Sequence, residues 1–211
     1  MKRIFFIVLW ISAMSSMAQN HWDNPEYFRD NKLAPHADLI PFSADKGVTG
    51  YQPLLSDRVT DLSGSWKFMF LTNPLDTPSD FSEPDFDDSR WNMIPVPSNW
   101  QLEGYGTPVY TNIRHPFPSN VPDVPEEGNE TGLYRQQFSF SKSTQGPVML
   151  RFEGVQSAFY VYLNGKYIGY SQGSMTPAVF DISNEILDGD NLLAVKVLRW
   201  CDGSYLEDQD F

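Results

Sequence analysis

The chain has 211 residues, of which 41% are hydrophobic and 15% aromatic, enough apolar material for one main domain with a substantial core. Its formal net charge of −12 repels phosphate backbones and anionic lipid headgroups, so neither nucleic acid nor a membrane is expected as a partner. The only cysteine is Cys201, so no internal disulfide can form, and this residue is expected to be a packed side chain rather than a nucleophile.

The N-terminus has the three-part pattern of a secretory signal peptide. Lys2 and Arg3 precede an apolar run over residues 4–13, and small and polar residues then lead to Ala18. This run is about half of the roughly 20 apolar residues that a membrane-spanning helix needs, so a membrane anchor is not expected. The sequence predicts a signal peptide over residues 1–18, cleavage after Ala18, and export to the periplasm or the extracellular space.

Two segments lack any sustained hydrophobic period. Residues 19–61 are rich in proline, aspartate and asparagine, which predicts an extended N-terminal arm. Residues 91–132 contain seven prolines and are too proline-rich for interior strands. Because long loops at the end of a scaffold commonly carry binding residues, the second segment is a candidate for part of a binding site.

Period-two alternation predicts strands in the rest of the chain. Alternating aromatic residues mark strands around Phe68 and Phe138, and residues 157–172 form a hairpin around Asn164-Gly165, a pair that supplies the positive φ angles of a type I′ turn. Further strands are predicted over residues 148–152, 178–182 and 191–200. Short strands between turn residues, without a convincing helix, favour an all-β fold, an antiparallel jelly-roll β-sandwich.

Four segments carry a more specific pattern: residues 86–91, residues 96–101 with 110–112 behind them, residues 154–159 with 164–165, and residues 199–210. In this order they resemble glycoside hydrolase family 2 β-galactosidases of the bacterial lactose-cleaving type, and the last segment, Arg-Trp-Cys-Asp-Gly-Ser-Tyr-Leu-Glu-Asp-Gln-Asp, is the most specific. One departure is Cys201, where the family usually has serine.

The resemblance implies an N-terminal sugar-binding domain, a galactose-binding-domain-like jelly roll over residues 62–211. Similar proteins continue past the position of Phe211 with a final sandwich strand, an immunoglobulin-like domain and a (β/α)₈ barrel, so the last strand and the catalytic barrel are expected to be absent from this chain. The family's two catalytic glutamates belong to the barrel, so no catalytic residue is assigned here and the chain alone is expected to be inactive. The arm resembles one that helps to hold subunits together in the family's oligomers, whereas the oligomeric state here stays open.

Two residues are implied in substrate binding. Asp210 matches an aspartate that reaches into the barrel's active site, contacts galactose and helps to hold a Na⁺ ion shared with the barrel. Asn112 matches an asparagine whose amide can donate to one sugar hydroxyl and accept from another. The structural alternatives are that Asp210 only caps a turn and that Asn112 forms an Asx turn. Mg²⁺ is expected in the full-length family enzymes but not on this chain.

Other chemistry finds little support in the sequence. Glu207, Asp208 and Asp210 could in principle supply a carboxylate pair, but acids so close together are more often solvated or structural. The histidines lack metal-ligand spacing, which leaves zinc and a Ser-His-Asp triad unsupported. Asn129 lies in a glycosylation sequon, but the resemblance to bacterial enzymes argues against glycosylation there. The tryptophans could stack on sugars but are expected in the core, and they are Trp66, Trp91, Trp100 and Trp200.

Three functions are therefore compared. The first is the sugar-binding domain of a retaining β-galactosidase that acts on terminal β-galactosides. The second is a free-standing carbohydrate-binding module, and the third is a structural fragment that complements a separate C-terminal piece.

Overall fold

The computed structural model describes residues 21–44, 50–110, 114–142 and 146–207. Within these ranges two antiparallel sheets form, a large one of order β1-β7-β6-β9-β4-β2-β3 and a small one that pairs β5 with β8. The strands are β1 (Arg29–Asp30), β2 (Gly64–Leu71), β3 (Asn92–Val96), β4 (Thr131–Phe140), β5 (Met149–Phe152), β6 (Ala158–Leu163), β7 (Lys166–Gln172), β8 (Ala178–Asp181) and β9 (Gly189–Leu198). The predicted all-β antiparallel jelly-roll β-sandwich is confirmed.

The helical segments of the described ranges are four short 3₁₀ turns, at His21–Asp23, Pro53–Leu55, Pro74–Asp76 and Asp202–Tyr205. The prediction that no substantial helix forms is therefore confirmed for this part of the chain. No helix there has the length and apolar character needed to cross a membrane. The predicted signal peptide, residues 1–18, lies outside the described residues.

The predicted hairpin joins β6 to β7 and is confirmed. Asn164 (φ 54°) and Gly165 (φ 81°) both have the positive φ angles that a type I′ turn requires. A Cβ atom at position 165 would stand 2.6 Å from Oε2 of Glu83, which lies on the segment between β2 and β3. Glycine is needed here for the backbone angle, whereas the exposed Glu83 side chain could move aside.

The main core lies between the two sheets. The strands of the large sheet contribute alternate residues to it, as the period-two pattern predicts, and the small sheet closes it with Leu150 and Phe180. The ring of Phe180 meets those of Phe152 and Phe159 edge to face, with centroids 6.2 Å apart in each pair. The core residues from the large sheet include Trp66, Phe68, Phe159, Val161, Leu193, Val195 and Val197.

The opposite, outer face of the large sheet is covered by connecting segments. Arg135 projects from β4 on this side and is only 2% exposed. Its Nε donates to Oδ2 of Asp88 over 2.8 Å, and its Nη1 donates to the carbonyl oxygens of Glu83 (3.0 Å) and Phe81. The segment between β2 and β3 is therefore fixed to the sheet by one buried guanidinium.

The described part of the predicted arm packs against the sandwich. Trp22 is 2% exposed in a cluster on the outer face. The backbone of Phe28 then accepts from Gln172 of β7 over 3.1 Å, and Leu33 donates to Val179 of β8 over 2.9 Å. Because β7 belongs to the large sheet and β8 to the small one, residues 28–33 close the gap between the two sheets at one side.

One strand was not predicted. Residues 92–96 fall in the proline-rich segment, yet they form β3, which includes Pro95 and pairs only with β2 at the end of the large sheet. Proline cannot donate to a ladder but is tolerated in an edge strand. In the described residues 91–110 and 114–130 no interior strand forms, as expected, whereas residues 131–132 begin the interior strand β4. The strand β3 itself depends on pairing with β2, which a local pattern does not reveal.

Candidate functional site

The two residues implied in sugar binding, Asn112 and Asp210, both lie outside the described residues. The chain that leads to them is described on each side, up to Tyr110, again from Arg114, and up to Glu207. The site can therefore be built from the segments that carry these residues. We call residues 105–123 the site loop and residues 199–207 the site segment.

The site segment begins where β9 leaves the large sheet. Cys201 is fully buried and caps the 3₁₀ turn Asp202–Tyr205, with its backbone N–H donating to Oγ of Ser204 over 3.1 Å. Burial raises the pKa of the Cys201 thiol to about 12, so the thiolate form is strongly disfavoured. The expectation that Cys201 is a packed side chain is confirmed.

Arg199 ties the start of the site loop to the site segment. Its Nη2 donates to the carbonyl oxygen of Thr107 over 2.8 Å, and its Nη1 pairs with the carboxylate of Glu130 at the start of β4. The two side chains are only 11% and 16% exposed. Gly106 (φ 66°) lies directly against that carboxylate, where a Cβ atom would overlap it. The start of the site loop is therefore held in a fixed position beside the start of β4.

Tyr205 ties the other end of the site loop to the same segment. Its hydroxyl donates to the carbonyl oxygen of Asp123 over 2.7 Å and accepts from the backbone N–H of Asn120 over 3.2 Å. Its ring packs edge to face on His115 and Phe117, with centroids 4.7 and 5.3 Å away. The segments flanking Asn112 and preceding Asp210 are thus held against each other at one end of the sandwich.

The described acids of the site segment hold the segment in place. Glu207 accepts from both the backbone N–H and the hydroxyl of Ser174, over 2.9 and 2.7 Å. Asp202 accepts from Nε2 of Gln172 over 2.6 Å, and burial raises the pKa of its carboxyl despite that hydrogen bond. Glu207 is thus engaged structurally, as expected for acids so closely spaced, whereas Asp208 and Asp210 lie outside the described residues. Within the described ranges no three His, Cys, Asp or Glu side chains cluster as metal ligands would.

The sugar-stacking alternative for the tryptophans is not supported, and their assignment to the core is confirmed. Trp66, Trp91 and Trp100 are 5–6% exposed, and Trp200 is 9% exposed beneath the Arg199 guanidinium, 5.0 Å from ring centroid to Cζ. Asn129 is fully buried and exchanges two hydrogen bonds with the backbone of Trp200. A glycan cannot reach Asn129 in the folded chain.

Sequence reasoning missed the two attachments of the site loop. Arg199 and Tyr205 lie inside the most specific motif, residues 199–210, so the motif indicated that they matter but not what they bind. Glu130 and Gly106 carried no local signal, because their importance depends on contacts with residues tens of positions away.

The fold alone does not define a function, but the long loop fixed at one end of the antiparallel β-sandwich places the candidate site on loops rather than on the sheets. The family model described as "Glycosyl hydrolases family 2, sugar binding domain" matches residues 59–211. The chain belongs to this family.

Two curated relatives illustrate the similarity. The chain is 42% identical over 202 residues to a protein named "Beta-galactosidase" from Vibrio vulnificus, an alignment that covers 95% of this chain and 19% of that protein. It is 46% identical over 197 residues to one of the same name from Pectobacterium atrosepticum, covering 92% of this chain and 18% of that protein. The chain thus spans about a fifth of the length of these relatives. Among solved structures, a β-glucuronidase of Bacteroides uniformis is 27% identical with a TM-score of 0.47, covering 64% of this chain and 14% of that one.

Proposed function

We propose that the chain acts as the sugar-binding domain of a β-galactosidase that hydrolyses terminal, non-reducing β-galactosides with retention of configuration. Asn112 and Asp210 are the residues that we assign to the sugar. The observation that carries this assignment is the double attachment of the site loop, through Arg199 and Tyr205, to the segment that leads to Asp210. Two segments whose bonded residues are 82 and 92 positions apart in the chain thereby meet at one end of the sandwich.

The chemistry itself is assigned to another part of the enzyme. Retaining hydrolysis needs two carboxyl groups about 5 Å apart on either side of the glycosidic bond. Three described acids near the site loop have structural partners, because Glu130 pairs with Arg199, Asp202 accepts from Gln172 and Glu207 accepts from Ser174. We therefore place both catalytic glutamates in the barrel of the complete enzyme.

We assign one metal role to this chain. A carboxylate offers hard oxygen ligands that suit a hard cation, so Asp210 would contribute to a Na⁺ site shared with the barrel, where the ion would also orient a sugar hydroxyl. We assign Mg²⁺ to the rest of the enzyme. The same proposal includes export after cleavage behind Ala18 and assembly into an oligomer through the N-terminal arm.

The assignment of Asp210 is tested in the gene product that carries this chain. Asp210→Ala is expected to lower kcat/KM for a nitrophenyl β-galactoside by about 10- to 100-fold, because charged hydrogen bonds to substrate hydroxyls are lost. The matched control is Asp85→Ala, which removes an exposed acid from the segment between β2 and β3 and should leave kcat/KM unchanged. Wild-type kcat/KM in the Asp210 variant would overturn the assignment.

The assignment of the catalytic glutamates to the barrel is tested on the purified chain by itself. After host enzyme has been excluded, the purified chain is expected to release nitrophenol no faster than its Asp210→Ala variant. A faster rate would place catalytic groups on this chain and contradict the proposal. Reading the gene past the codon for Phe211 adds an independent check, since an open frame with a barrel and its two glutamates supports the proposal and an immediate stop codon favours a binding or complementing domain.

A further inference from the structure

A cleft of about 350 Å³ opens at the edge of the large sheet, beside the start of β3. The ladder between β2 and β3 stops at Phe68 and Asn92, whereas β2 continues to Leu71, so the edge of β2 is left uncovered over its last residues. Tyr105, at the start of the site loop, forms the far wall. The volume lies at the lower end of the roughly 300–1,000 Å³ typical of ligand sites, and because the cleft is open to solvent it suits one ring of a saccharide.

The walls of this cleft, which we call the edge cleft, are aromatic and held rigidly. The Tyr105 ring packs edge to face on Phe68, with centroids 4.8 Å apart, and lies 5.8 Å from the ring of Phe70. Trp91 also lines the cleft, but as a core residue that is 6% exposed it offers a ligand little surface, and it is fixed by Phe86, with centroids 5.7 Å apart. Phe70 and Tyr105 are only partly buried, so part of each ring faces the cleft. Such preorganised rings offer apolar surface to the C–H face of a sugar at little entropic cost.

The rim of the edge cleft carries the polar groups that a saccharide needs. Arg90 and Asn92 both line the cleft and are both exposed. A guanidinium supplies several fixed donors, and an asparagine amide both donates and accepts, which together match hydroxyls that act in both ways. The chain's formal net charge of −12 disfavours anionic ligands, so a neutral saccharide is favoured.

We propose that the edge cleft is a second saccharide-binding site, with aromatic walls for the sugar ring and with Arg90 and Asn92 for its hydroxyls. It uses residues other than Asn112 and Asp210. Leu71 of β2 pairs with Thr131 of β4, which pairs with Leu198 of β9, so the end of β2 stands about 10 Å, or two strand spacings, from the end of β9, where the site segment begins. A saccharide there would be held beside the site loop, at the same end of the sandwich.

The test uses the chain labelled with 5-fluorotryptophan and titrated with lactose, followed by ¹⁹F NMR. The Trp91 resonance, assigned with Trp91→Phe, is expected to shift and to saturate at millimolar lactose. Arg90→Ala is expected to weaken the apparent affinity about tenfold, and Asn92→Ala severalfold, because each removes hydrogen bonds to the sugar. Lys166→Ala, which removes an exposed cation from the β6–β7 turn, is the matched control and should change nothing.

A titration of the Asp210→Ala chain separates this proposal from the previous one. The edge cleft predicts an unchanged response of Trp91, whatever becomes of hydrolysis in the complete enzyme. The proposal is overturned if Trp91 shows no saturable shift up to about 100 mM lactose, or if its shift survives both Arg90→Ala and Asn92→Ala but disappears in Asp210→Ala.

Discussion

On its inner face the large sheet packs against the small sheet through hydrocarbon and aromatic rings, whereas its outer face is covered by connecting segments that bring polar groups with them. The inner core is made of side chains such as Phe68, Val195 and Phe180. The outer face buries Arg135, Asn129 and part of Lys196, each bonded to backbone carbonyls of distant segments.

The difference shows two ways of covering one face of a sheet. A second sheet supplies its own apolar face and satisfies its backbone within its own ladder. An irregular segment exposes unpaired carbonyl oxygens, and these must be satisfied when they are buried. On the outer face Arg135 of β4 and Lys196 of β9 do this, and Asn129, shortly before β4, does the same for the carbonyl oxygen of Trp200. The inner face should therefore respond to lost volume, and the outer face to lost hydrogen bonds.

The largest effect is expected from Phe180→Ala in the inner core. The side chain is fully buried among the rings of Phe152 and Phe159, so its removal should lower the free energy of unfolding by about 3–5 kcal/mol. Urea unfolding followed by fluorescence measures this change. Met149→Ala, on the exposed side of β5, is the control and should cost less than about 1 kcal/mol. Equal losses in the two variants would show that the small sheet does not close the core.

The next largest effect is expected from Arg135→Met on the outer face. The substitution keeps apolar bulk but leaves Asp88 and the carbonyl oxygens of Phe81 and Glu83 without their buried donor, at a cost of about 3 kcal/mol. Lys67→Met removes the other cation near Asp88, which is 3.9 Å away and 34% exposed, and should cost less than about 1 kcal/mol. Thermal unfolding of both variants measures the two losses of stability. A small loss in Arg135→Met would mean that packing alone holds the segment between β2 and β3 against the sheet.

The smallest effect is a pH dependence at Lys196. Burial lowers the pKa of its ammonium to about 8, while its Nζ donates to the carbonyl oxygen of Pro74 over 2.8 Å. Between about pH 8 and the unfolded-state pKa of 10.5 the unfolded chain binds more protons than the folded chain, so this group makes stability rise with pH in that window. Denaturant unfolding from pH 7.5 to 9.5 should show a rising contribution in the wild type that Lys196→Met lacks.

The pH range of that experiment stays below 10 because buried tyrosines affect stability above that pH. Burial raises the pKa of Tyr134, Tyr160 and Tyr170, and each such shift makes stability fall as pH climbs past the tyrosine's ordinary value near 10. Comparing the wild type with Lys196→Met removes this shared background. Parallel curves for the two proteins over the whole range would mean that Lys196 is solvated in the folded chain.

Much of the sheet architecture could be predicted because its signals are local. Alternation around Phe68, the Asn164-Gly165 turn and the apolar positions of β9 each depend on neighbouring residues, and each corresponds to an observed strand or turn. The exception is β3, whose Pro95 argues against a strand until the edge position is known. Burial of the tryptophans followed from their size and from the need to fill a sandwich core.

For the candidate site, the order of motifs along the chain was enough to indicate the family and to single out residues 199–210. It could not indicate that Arg199 and Tyr205 form hydrogen bonds with the two ends of the site loop, or that the Glu130 carboxylate lies against Gly106. Nor could it indicate the edge cleft, whose walls come from β2, the start of β3 and the site loop.

The sequence by itself determined the antiparallel strands, the hairpin, the apolar inner face and the family, because periodicity, turn chemistry and motif order are properties of short stretches of chain. Only the tertiary structure decided how the outer face is covered, where the arm closes the sandwich and how the site loop is attached. Those features depend on hydrogen bonds and ion pairs between residues up to about 150 positions apart, such as Leu33 with Val179, and geometry at that range is set by the packing of the whole domain.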